Sequence, residues 1–183
     1  MRKIRIFLVL TIALVGFSAV STAAQNYAPA ASRQGRSIDE QIYRKLKGLP
    51  NYNVFDNISW QVNGGTVTLT GKVYSLSTRS EAASYVRDIP GVTSVINNIQ
   101  DLPPSPMDDR IRVAALREFT SHGPSQYFGY PNPDVRIIVE NGRITLEGNE
   151  ARNSDSDLLN ILASGIPGVF SVTNNLIVGE RKF

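Results

Sequence analysis

"IPGVTSVINNI" runs from Ile89 to Ile99, and "IPGVFSVTNNL" runs from Ile166 to Leu176. Eight of the eleven positions are identical, at a spacing of 77 residues. Proline denies the next helical turn a donor, and glycine allows the chain to reverse. The phrase therefore reads as a helix stop, a tight turn and the start of a strand. A phrase of this kind written twice means two copies of one small fold.

The echo extends upstream. "ISWQVNGGTVTLTGKV" (Ile58 to Val73) aligns with "VRIIVENGRITLEGNE" (Val135 to Glu150) at the same spacing. "SIDEQI" (Ser37 to Ile42) resembles "PMDDRI" (Pro106 to Ile111) at a spacing of 69. The difference of eight places an insertion in the second copy, within Ser121 to Asp134.

Each copy yields the same elements. Ser37 with Glu40 forms a capping box, and Ile38, Ile42, Leu46 and Leu49 make one apolar stripe. In the second copy Ser105 caps, Pro106 takes the first helical position, and Met107, Ile111, Ala115 and Phe119 form the stripe. A hairpin follows, turning at Gly64-Gly65 in one copy and Asn141-Gly142 in the other. Gly71 and Gly148 fall in mid-strand, where glycine marks a bulge or the close approach of another backbone. Thr78 with Glu81, and Ser154 with Asp157, are expected to cap a second helix, which Gly91 and Gly168 help to end. A third strand closes each unit. The fold class is α+β: two tandem αββαβ domains, each a three-stranded mixed sheet with two helices on one face. A right-handed crossover sets strand three parallel to strand two.

The first domain spans 37–102 and the second 107–179. Between them "PPSP" (Pro103 to Pro106) reaches only about 12 Å, so the copies must nearly touch. Arg2, Lys3 and Arg5 precede fifteen uncharged residues, Ile6 to Val20, and then "STAA". This reads as a signal peptide over 1–24, with cleavage after Ala24 and export to the periplasm. Residues 25–36 read as a disordered lead-in. Without the leader, 16 basic residues (19 minus 3) face 16 acidic ones. That balance makes no electrostatic case for nucleic acid. The chain has no cysteine and one histidine, which argues against a thiol nucleophile or a transition-metal centre.

The pattern G-x-[VI]-T-L-x-G, a helix, then "IPGV-x-SV-x-NN", carried twice behind a signal peptide, resembles the BON domain family (bacterial OsmY and nodulation). The resemblance implies a periplasmic or outer-membrane protein that is not an enzyme and needs no cofactor. It implies association with phospholipid membrane surfaces and support of the envelope under osmotic stress. The alternative is a soluble protein-interaction or chaperone-like module for envelope proteins.

Site candidates divide between folding and function. His122 beside Ser121 reads as a surface loop histidine, since adjacent residues seldom orient a base against a nucleophile. Asp108, Asp109, Asp155 and Asp157 lie in first helical turns, where acids favour the helix dipole. Trp60 aligns with Ile137 and reads as core. Asn97-Asn98 and Asn174-Asn175 are expected to satisfy nearby backbone groups. No folding role accounts for Tyr127, Phe128 and Tyr130 in the insertion. Either the loop folds back and buries them, or they form an exposed patch for lipid or a partner protein.

Overall fold

The computed structural model describes residues 37–129, 133–150 and 152–179. The leader and the lead-in expected over 1–36 lie outside the described residues. In the first copy α1 (Ile38–Lys47) leads to β1 (Asn57–Asn63), β2 (Thr66–Val73), α2 (Leu76–Arg87) and β3 (Ser94–Asp101). In the second, α3 (Pro106–His122) leads through a 3-10 turn (Ser125–Phe128) to β4 (Val135–Glu140), β5 (Arg143–Glu150), α4 (Asn153–Ser164) and β6 (Ser171–Val178). Each sheet has its strands in chain order. The hairpins are antiparallel, and β3 and β6 run parallel to β2 and β5.

Each copy has its own core. Ile42, Leu69, Val73 and Val86 are among the buried residues of the first, and Ile111, Phe119, Ile137 and Leu159 of the second. Ser37 and Ser105 cap as expected, accepting from the amides of Glu40 (3.1 Å) and Asp108 (3.2 Å). The two later caps differ from expectation. α2 begins after Ser75 and α4 after Arg152, one turn or less ahead of Thr78 and Ser154. Thr78 is consequently a buried residue inside α2.

Gly71 sits opposite Ile58, and Gly148 opposite Val135. Both have positive φ, 126° and 124°. A Cβ at Gly71 would overlap the carbonyl oxygen of Asn57, and one at Gly148 that of Asp134. The hairpin partner therefore approaches where only a hydrogen can stand. The first asparagine of the repeated pair acts alike in both copies. Asn97 donates to the Arg79 carbonyl at 2.9 Å, and Asn174 to that of Ser156 at 3.2 Å. Each ties the closing strand to the helix before it.

The copies are joined by the segment between α1 and β1. Val54 and Phe55 pack against the second core. The Ile137 amide donates to the Val54 carbonyl at 2.8 Å. Arg136 lies over the Tyr52 ring at 4.4 Å and donates to the Asn53 carbonyl at 2.8 Å. Lys72 pairs with Glu140. From the other side Arg112, itself buried, lies 4.7 Å over the Tyr74 ring. These contacts explain why β4 is buried along both faces, including Arg136 and Ile138. They also cover an edge strand that would otherwise offer free backbone groups to another chain.

Asp56 holds the joining segment in shape. It is fully buried and accepts from the amides of Asn53 (2.8 Å) and Tyr74 (2.6 Å). Burial raises its pKa above 3.8, and the amides of Tyr74 and Asn53, with Arg136, oppose that rise. A raised carboxyl pKa means that the folded chain holds this proton more tightly than the unfolded chain. The contribution of Asp56 to stability is therefore fully present below pH 3.8 and is lost as pH rises through the folded value. Asp56→Asn should remove this slope and cost about 1–3 kcal/mol at neutral pH, because its NH2 group must face an amide donor. Denaturant melts of parent and variant from acid to neutral pH check both expectations.

Candidate functional site

The aromatic insertion is the first place to look for a site, and its described rings are inside. Phe128 is 8 % exposed and stacks on Phe119 with centroids 5.4 Å apart. Tyr127 is 7 % exposed, and its hydroxyl donates to Asp155 at 2.8 Å. The Asp134 amide donates to the Tyr127 carbonyl at 2.8 Å, which closes the loop on itself. The contact surface expected of Tyr127 and Phe128 is therefore corrected. α3 runs to His122, and the 3-10 turn folds both rings back into the second core. Tyr130 lies outside the described residues.

The other candidates of the sequence also find places. His122 ends α3 and contacts Glu118 at 2.9 Å, one turn back, so no dyad with Ser121 forms. Asp108 does more than favour a helix dipole. It is 1 % exposed and accepts from the amides of Asn141 (2.9 Å) and Gly142 (2.8 Å). Its carboxylate thus pins the tip of the second hairpin to the start of α3. Trp60 is only half-buried, and its Nε1 donates to Asp39 at 3.0 Å. The described residues contain no cluster of three or more metal-binding side chains.

With the hairpin tip pinned, one end of the second copy becomes a distinct surface. Phe170 is 77 % exposed and Met107 56 %. Met107 was expected on the inward stripe of α3, but it sits in the first turn of the helix and is exposed. Its Cε lies where a Cβ on Gly168 would be 3.2 Å away. Phe170 is held by its own amide, which donates to the Gly142 carbonyl at 2.7 Å. The Arg143 guanidinium lies 5.4 Å over the Phe170 ring. Gly168, like Gly91 in the first copy, has positive φ and makes the turn that brings the closing strand back. The pole combines two exposed apolar side chains with a cation at their rim. The matching positions of the first copy are Ile38, Thr93 and Thr66, of which Ile38 packs partly against the core.

This surface is written in the repeated phrase itself. Thr93 and Phe170 occupy its fifth position, one of only three at which the copies differ. Comparing the copies for changed chemistry, rather than for identity, would have picked it out.

A family model agrees with two copies of one fold. The BON domain model matches residues 36–100 and 108–180. Among solved structures the chain is similar to CdsD, a structural protein of the type III secretion system of Chlamydia trachomatis. Identity is 15 %, with 78 % of this chain and 92 % of that chain covered, at a TM-score of 0.31. The C-terminal domain of CdsD is also similar, at 15 % identity, with 79 % and 98 % covered and a TM-score of 0.30. A search of curated proteins gives no match. Two family matches, one over each αββαβ unit and together taking in well over half of the residues, show that the chain belongs to the BON domain family, a family of non-catalytic binding modules.

Proposed function

We propose that the protein is a periplasmic module that binds phospholipid membrane surfaces through the pole of its second copy and supports the envelope under osmotic stress. The observation that carries this reading is the exposure of Phe170 and Met107 beside Arg143, at positions where the first copy has none of these residues. An aromatic ring and a thioether can enter the acyl boundary while a guanidinium stays with the headgroups. Among the described residues no helix is long and apolar enough to cross a membrane. The contact in this reading is surface insertion by these side chains. With the leader removed the chain carries no net charge (16 basic residues against 16 acidic). Binding should then depend on apolar insertion and vary little with salt.

Phe170→Ser is expected to weaken binding to vesicles of phosphatidylethanolamine and phosphatidylglycerol by about ten- to hundredfold, the equivalent of withdrawing a phenyl ring from an apolar medium. Stability should change by less than about 0.5 kcal/mol, as for other exposed positions. Co-sedimentation at low and high salt measures the first, and thermal melts the second. Equal sedimentation of parent and variant would remove the pole from the reading.

The alternative, a chaperone-like module for envelope proteins, draws on a different feature. β3 and β6 are the outer strands of their sheets, and an extended segment of a client can add to such an edge. In that case vesicles would not sediment the protein, and Phe170→Ser would leave client protection intact.

A further inference from the structure

A groove of about 580 Å3 opens where the first copy meets the sheet of the second. One wall is aromatic: Tyr43, Tyr52 and Trp60. Tyr43 and Trp60 are neighbours, with centroids 6.5 Å apart and planes inclined at 44°. The facing wall comes from β5 and β6 and carries Glu147, Asn149 and Asn175. Glu147 is already oriented, since Asn175 donates to it at 2.8 Å.

The repeat shows that this wall is particular to one copy. Asp39, Tyr43 and Trp60 correspond in the second copy to Asp108, Arg112 and Ile137. There the same positions are buried and occupied: Asp108 with the hairpin tip, Arg112 with Asp109 and the Val139 carbonyl, and Ile137 in the core. Only in the first copy do they face an open space large enough for a ligand.

The chemistry of the walls selects among occupants. Asp39 and Glu147 are matched by Lys47 and Arg136, so the groove offers no net attraction to a polyanion. Both cations also lie over rings, Lys47 over Tyr43 and Arg136 over Tyr52, each at 4.4 Å. A lipid tail would leave the charged and amide groups unpaired, at a desolvation cost. A pyranose ring suits both walls. Its C–H face lies against the negative face of an aromatic ring. Its hydroxyls both donate and accept, which matches carboxylates, cations and carboxamides placed together. The volume falls within the range of small-molecule sites, about 300–1,000 Å3.

We propose that the groove between the copies binds an oligosaccharide of pyranose sugars. This site is separate from the pole and does not depend on it. Trp60 is the only tryptophan in the chain, so its emission reports on the groove alone. The full chain is titrated with tetra-N-acetylglucosamine and, in a parallel arm, with maltotetraose. A saturable change in Trp60 emission with at least one sugar is expected, and the arm that responds identifies the sugar class. Glu147→Gln, which keeps the tryptophan, should weaken the response about tenfold. Trp60→Ala, followed by calorimetry, should weaken binding at least as much while leaving vesicle binding unchanged. Phe170→Ser should leave sugar binding unchanged. The proposal is overturned if neither sugar changes the emission at millimolar concentration, or if both groove variants bind as the parent does. It is also overturned if phospholipid vesicles, and not sugars, move the emission.

Discussion

Gly148→Ala is expected to cost about 2–6 kcal/mol, from roughly 1–3 kcal/mol of backbone strain and a similar amount for overlap. The residue holds a φ of 124°, and the added Cβ would meet the Asp134 carbonyl oxygen, a backbone atom. A flexible side chain can swing aside, but this atom is held by the neighbouring strand. The strand pair must open or shift its register at Val135, where the second copy begins its sheet. Gly71→Ala should cost a similar amount, because the Asn57 carbonyl stands in the same relation to it. Denaturant melts of both variants make the check, and either one melting with the parent would show that the close approach is not needed. The joining segment adds a further expectation. Val54 and Phe55 belong to the first copy but pack on the second core. Damage at Gly148 should therefore lower the stability of both copies together, rather than produce two separate transitions.

Phe128→Ala should cost about 3–5 kcal/mol, the usual loss for removing a buried phenyl ring. Its ring stacks on Phe119, which is itself fully buried. Tyr127→Phe should cost about 1 kcal/mol, since it keeps the ring and removes the hydrogen bond to Asp155. Thermal melts give both values. The folded fraction of each variant should bind vesicles as the parent does. Loss of vesicle binding by folded Phe128→Ala protein would return the insertion to the candidates for a contact surface. Phe170→Ser makes the reverse forecast, with binding weakened and stability kept.

These paired outcomes follow from a difference in what each kind of residue reveals in a linear sequence. The two αββαβ units were legible because their signals are local. Capping serines, the Asn141-Gly142 turn and the helix stop at Pro167-Gly168 act within a few residues of themselves. The mid-strand glycines were legible as well, because their need for close approach recurs at a fixed spacing in both copies. Burial of the insertion was not legible. Nothing local distinguishes an aromatic loop that folds back from one that faces solvent, and the outcome rests on Phe119 being free to stack. Trp60 and Ile137 share a position in the repeat and differ in environment, because only the second copy has its sheet covered by the first. One local sign of that covering exists, since Ile138 breaks the alternation of β4, but what covers it is the Asn53–Phe55 segment, far away in the chain. Local signals in the sequence specified the four α-helices and six strands of the described residues, their order and the closure of each sheet, since these depend on backbone conformation and short-range periodicity. The tertiary structure alone decided which aromatic rings are buried, that Phe170 and Met107 share a pole, and that a groove lies between the copies. Those features join residues far apart in the chain, and contact at that range is settled by packing rather than by local propensity.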